Sequence, residues 1–158
     1  MIEERNEGDF VGKTVYQYLL EFKRKYPMTI SWRLKKHAKI IEKHLNPGEK
    51  VLYAFTAQKN DNPFDIVSSY AIVLTNKRIM MGSKRVIFGY FFTTITPELF
   101  NDLKVNMGII WGKIYIDTIK EFVTLSNIDR NALPEIETRI TEFMMSEKKK
   151  NIKKLVKI

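Results

Sequence analysis

The sequence predicts a mainly β protein with flanking helices: two helices, seven antiparallel strands and a closing helix. Three observations carry that reading. Apolar residues recur at helical spacing up to Leu45 and then, from Val51, follow extended runs, so the secondary-structure period changes once. The stretch Ser69 to Met81, SYAIVLTNKRIMM, sets two apolar runs on either side of Thr75-Asn76-Lys77-Arg78 and reads as a hairpin. After Asn131 the helical period returns with Leu133, Ile136, Ile140, Phe143 and Met144. A lone sheet of seven strands must bend or close to bury its apolar face.

Composition sets the limits. A chain of 158 residues with 44% hydrophobic and 12% aromatic residues has enough apolar surface for a sizeable core. It contains no cysteine, which removes disulfides, thiolate metal sites and a cysteine nucleophile, and is compatible with a cytoplasmic setting. Met1 to Arg5 is polar and acidic rather than signal-like, and the densest apolar run, Val86 to Phe92, is too short to span a bilayer. The expectation is a cytoplasmic protein, peripheral to the membrane if it binds lipid. The net charge of +9 sits on the flanks: residues 13–50 carry ten basic against three acidic side chains, and 130–158 eight against four. The middle, 51–129, has eight against seven, so an anionic partner would be drawn mainly by the helices and the tail.

Residues 1–12 read as a frayed acidic lead-in. From Lys13 to Tyr26 the stripe Val15, Tyr18, Leu19, Phe22 and Tyr26 opposes Gln17, Glu21 and Arg24, which is an amphipathic helix stopped by Pro27. Thr29 or Ser31 is the expected cap of a second helix with the buried stripe Leu34, Ala38, Ile41 and Leu45, ended by Asn46-Pro47-Gly48. Strands are expected at Val51 to Ala57, at both arms of the hairpin, with Asn76 in the left-handed region at its turn, and at Val86 to Phe92 after a Gly82-Ser83 turn. Thr93 to Glu98 reads as a connection. Three further strands, Phe100 to Met107, Ile110 to Asp117 and Glu121 to Leu125, form a meander. The closing helix starts near Asn131 with Pro134 in its first turn. Residues 148–158 hold six lysines and continue it either as helix or as a basic tail. The domain organisation expected is a helical extension packing on the barrel over 1–46, a strand-rich domain over 47–147 and a basic tail over 148–158.

Several residues are candidates for binding. Lys36, Lys39 and Lys43 line one face of the second helix, with Trp32 near its start; this is either a phosphate-facing surface or a solvated outer face. Lys77 and Arg78 at one turn and Lys84 and Arg85 at the next are the other possible anion or lipid contacts. Ile109, Ile110 and Trp111, between Gly108 and Gly112, put three large apolar residues at a tight reversal. They either fold back onto the chain's own helices or anchor a protein contact. His37 and His44 lie two turns apart, about 10 Å on a helix, too far for one zinc ion, and no metal or cofactor is expected. No phosphate loop, zinc motif or nucleophile elbow is present, and Asp102, Asp117 and Glu121 are not tied into an acid–base pair by the sequence.

The order Pro47-Gly48-Glu49, a first strand, VLTNKRIMM, the MGIIWGKIYID hairpin, LSNID and a C-terminal helix resembles the bacterial pleckstrin-homology-like domains, in particular the YokE-like group, over roughly residues 45–145. The resemblance implies a bent barrel of two near-orthogonal antiparallel sheets, one open end plugged by the C-terminal helix. It also implies a binding module rather than an enzyme. Phosphoinositide-binding relatives place basic residues around the loop between the first two strands, whereas here Lys59 stands against Asp61 and Asp65. The leading expectation is a protein-interaction or self-assembly module. The alternative is peripheral binding to anionic membrane lipids through the basic helix face and tail. Nucleic acid is the less favoured partner.

Overall fold

The computed structural model describes residues 12–157, so the acidic lead-in lies almost wholly outside the described residues. Two helices, α1 (Val15–Lys25) and α2 (Leu34–His44), precede seven strands: β1 (Val51–Gln58), β2 (Ser69–Thr75), β3 (Ile79–Lys84), β4 (Tyr90–Ile95), β5 (Phe100–Met107), β6 (Trp111–Thr118) and β7 (Phe122–Asp129). A short 3-10 turn leads into α3 (Leu133–Val156). The strands form one antiparallel curled half-barrel in the order β4-β3-β2-β1-β7-β6-β5, leaving β4 and β5 as edges. Its corner is the single pairing of Gln58 with Ser126.

Strand alternation divides the protein into two apolar cores. Phe55, Ile72 and Met81 face inward with Ile114, Ile116 and Leu125, and α3 covers them with Leu133, Ile136, Ile140 and Met144. Ala54, Ala71, Val73 and Met80 face outward, and Val15 and Leu19 of α1 with Ala38 and Ile41 of α2 cover them. Every residue of β2 is therefore buried, as its unbroken apolar run requires. Phe22 and Tyr26, at the end of α1, join the inner core against Tyr53 and Phe55.

Several expected details change. Gly82 and Ser83 lie inside β3, not in a turn. A Cβ at Gly82 would come within 2.9 Å of Ile41 Cδ1 and 3.2 Å of Ile40 Cγ2, so the glycine is there to let α2 rest on the sheet. The reversal falls instead at Val86 to Gly89, and the strand expected at Val86 to Phe92 begins at Tyr90 and takes in Thr93 to Ile95. Asn76 is not left-handed. The Thr75 hydroxyl closes that turn by accepting from the N–H groups of Lys77 and Arg78. The residue ahead of α2 is Arg33 rather than Thr29 or Ser31, and the buried stripe is His37, Ala38, Ile40 and Ile41, with Leu34 and Leu45 only half-buried. Phe143 is likewise half-buried. The basic segment after Lys148 continues α3 as helix.

Candidate binding face at the loop end

The β1–β2 and β3–β4 loops leave the barrel at the same end, because Ser69 and Lys84 terminate adjacent antiparallel strands there. The linker between α1 and α2 is fastened beside them. Its Thr29 is buried, and its hydroxyl accepts from the Asp129 N–H at 2.9 Å. Lys23 Nζ donates to the Thr29 carbonyl, and burial holds this ammonium below the usual lysine range against the opposing pull of Asp129. The Ile30 N–H donates to the Asn127 carbonyl at 2.9 Å. With both sides of the linker satisfied by β7, its path is fixed.

From that path the linker reaches three loops. The Met28 carbonyl accepts from Trp111 Nε1 at 2.7 Å, at the β5–β6 turn. Trp32 Nε1 donates to the Pro63 carbonyl in the β1–β2 loop at 3.4 Å. Arg33 donates from Nη1 to the Lys84 carbonyl at 3.1 Å and from Nη2 to that of Arg85 at 3.4 Å, at the base of the β3–β4 loop. Arg33 holds φ 58° and ψ 39°, a left-handed conformation that costs a non-glycine residue about 1 kcal/mol or more. From this backbone its guanidinium lies over the loop while Leu34 starts the helix. His37, one turn on, is buried and accepts the Lys84 N–H at Nδ1, 2.8 Å. Burial first, and the nearby Arg33 charge second, lower its pKa to about 4, so the imidazole is neutral at pH 7 and can accept.

The loops held in this way end in bare apolar side chains. Phe64 is 85% exposed, Ile87 78%, Phe88 80% and Ile109 89%, with Trp32, Ile66, Val67 and Val86 also exposed. Gly89, at φ 72°, allows the tight β3–β4 reversal and leaves Ile87 and Phe88 at its tip. Lys84 and Arg85 flank that tip, and Arg33 lies at its base. Asp61 is paired with Lys113 at 3.0 Å, and Asp65 is used inside the β1–β2 loop, accepting from the Val67 N–H and from Asn60 Nδ2.

The remaining sequence candidates are dispersed. Lys36, Lys39 and Lys43 are exposed along α2. Lys77 and Arg78 sit at the opposite end of the β2–β3 hairpin from Lys84 and Arg85. Arg78 is engaged: Nε and Nη2 each reach Glu49 at 3.1 Å, and Nη2 donates to the His44 carbonyl at 2.8 Å. Trp111 is half-buried against the linker, while Ile109 and Ile110 are exposed. Asp102 and Asp117 are register partners across β5 and β6. Among the described residues, no group of three or more His, Cys, Asp or Glu side chains could hold a metal ion. No helix among them is long and apolar enough to cross a membrane.

Sequence reasoning missed the role of the linker and the exposed tip. The available signal was Lys84-Arg85 before Val86-Ile87-Phe88-Gly89, which has the apolar content of a strand but the glycine of a turn.

The family model described as bacterial PH domain matches residues 45–142, more than half of the chain. No curated protein matches it. The matched segment begins just before β1 and ends within α3, so it holds the whole half-barrel and the first part of the helix against it, up to residue 142. Domains of this kind act generally as binding modules, and by sequence match and by fold this chain belongs to the bacterial PH domain family.

Proposed function

We propose that the chain is a non-catalytic binding module that docks its loop end on an anionic bilayer. The observation that carries this reading is the β3–β4 tip, where exposed Val86, Ile87 and Phe88 follow Lys84 and Arg85, with Arg33 at the base. An apolar tip gains by entering the acyl boundary, up to about 2 kcal/mol for a large side chain. Each flanking cation adds about 1 kcal/mol near an anionic surface. Phe64 on the neighbouring loop supplies a second insertion point.

Co-sedimentation tests this with phosphatidylcholine vesicles, with and without phosphatidylserine. Binding is expected only with the anionic lipid, weakening steeply with salt, and falling at least about tenfold in Phe88→Asp, since 1.4 kcal/mol is a factor of ten. Equal partition of Phe88→Asp and the parent at low salt would reject the loop end as the contact.

Protein interaction is a second reading, favoured by the outer edge of β4, where Tyr90 and Phe91 are exposed beside backbone groups that have no strand partner among the described residues. An extended peptide, or a second copy, can add a strand there. Such binding would persist in salt that strips the protein from vesicles.

A further inference from the structure

The C-terminal part of α3 carries an amphipathic surface that the barrel does not use. Leu133, Ile136, Ile140 and Met144 spend one side of the helix on the core. At about 100° per residue, Met145, Ile152 and Val156 fall within roughly 40° of one another on a different side, with Leu155 about 60° from Ile152 toward the core side. All four are exposed, Val156 to 79%. Lys149 stands on one shoulder of the stripe with Lys153 and Lys157 beyond it, while Lys148, on the other shoulder, leans toward the barrel with Nζ 5.7 Å from the centre of the Phe100 ring. Glu147 lies away from the stripe and is bonded to Lys150 at 3.1 Å.

This pattern selects among occupants. A second copy of the helix would set lysine shoulders against lysine shoulders, and like charges at such spacing repel. A polyanion such as RNA would use the lysines and leave the apolar stripe in water. An anionic bilayer uses both, the lysines at the headgroups and the stripe in the acyl boundary.

The position of the helix adds a consequence. Lys150 and Lys154 border a cleft with Asn76 and Lys77, at the β2–β3 turn. The Lys84–Gly89 loop begins at the other end of β3, six residues away, or about 20 Å along an extended strand. We infer that residues 145–157 of α3 form a second element that adsorbs to anionic bilayers, so that one chain holds two such surfaces, one near each end of the β2–β3 hairpin. For the first of those surfaces the inference rests on the loop-end reading above.

The test follows turbidity and co-sedimentation of phosphatidylcholine–phosphatidylserine vesicles with the full chain. The parent is expected to cluster vesicles. Ile152→Asp/Val156→Asp, at exposed positions that leave the core intact, is expected to lose clustering at least about tenfold while still sedimenting through the loops. Phe88→Asp is expected to lose clustering and to sediment at least about tenfold more weakly than the parent, the remaining sedimentation passing through α3. An unchanged melting temperature establishes that each variant is folded. If the α3 variant clusters as the parent does, while Phe88→Asp does not, the helix element is rejected and the loop reading stands. If Phe88→Asp matches the parent in both assays, the loop reading fails and two-sided bridging fails with it. A parent that sediments without clustering at any protein-to-lipid ratio refutes bridging outright.

Discussion

Replacing Arg78 by methionine tests what the LTNKRI stretch is for. Its guanidinium makes two 3.1 Å bonds to Glu49 and a 2.8 Å bond to the His44 carbonyl, tying the β2–β3 turn to the end of α2. The Glu49 side chain is 1% exposed and that of Arg78 18%. Removing the cation leaves a buried carboxylate with only the Thr75 hydroxyl at 2.6 Å and the Asn46 N–H at 3.1 Å. Breaking a buried pair costs about 3–5 kcal/mol, and the partial exposure of Arg78 favours the lower end, about 3 kcal/mol. Urea unfolding should show this as a fall in midpoint at constant slope. Burial pushes the Glu49 carboxyl up, but hydrogen bonds from Arg78, Thr75 and Asn46 outweigh it and hold the group below its ordinary 4.5. The lowered value means stability present above pH 4.5 and lost as pH falls through the folded-state pKa. Without Arg78, burial dominates and the carboxyl protonates more readily, so the gap between parent and variant should narrow in acid. Glu49→Gln/Arg78→Met, with no buried charge left, should recover part of the loss. A midpoint unchanged in Arg78→Met, or strictly additive losses in the double variant, would refute this account.

Two further perturbations separate core from surface. Met144→Ala should cost about 2–5 kcal/mol, because Met144 is fully enclosed, whereas Phe143→Ala should cost about 1 kcal/mol, since half-buried Phe143 borders the cleft beside Asn76 and Lys77; chemical denaturation ranks them. His37, with its pKa lowered to about 4 in the folded state against 6.5 for the free group, binds fewer protons folded than unfolded between those values. Stability should therefore fall by up to about 3 kcal/mol as pH drops from 6.5 to 4, and His37→Gln, whose amide oxygen can accept the Lys84 N–H, should flatten that slope in pH-resolved thermal melts.

The fold was legible where a pattern and its cover coincide. The β2–β3 hairpin, the β5–β7 meander and the stripe of α3 alternate or repeat because one face of each meets a core, and periodicity records that directly. Val86 to Phe88 breaks the link: it is as apolar as β2, yet none of the described residues covers it, and composition does not distinguish a buried run from a bare one. Gly82-Ser83 misled in the opposite sense. Turn-type residues stand there because α2 needs the space above Gly82 and because Ser83 Oγ donates to the Ser69 carbonyl at 2.7 Å inside the sheet. The basic candidates were visible as charges, but which of them are free is a tertiary fact. Arg78 is paired through Glu49, which lies 29 positions away.

The candidate face also divides the chain differently from the family match. The matched segment starts at residue 45, yet the groups that fix its loops, Met28, Trp32 and Arg33, all lie before it. They span six consecutive residues and reach partners near positions 63, 84 and 111, so a short strap sets the relation of loops that the sheet holds only at their bases. The left-handed Arg33 backbone makes physical sense on this account. Its local cost is offset where the guanidinium bonds two carbonyls of the β3–β4 loop and His37 takes the neighbouring N–H, so the strained residue and the buried histidine hold one loop from adjacent turns. The half-barrel supplies the platform, and the linker between the two N-terminal helices ties the base of the apolar tip to it.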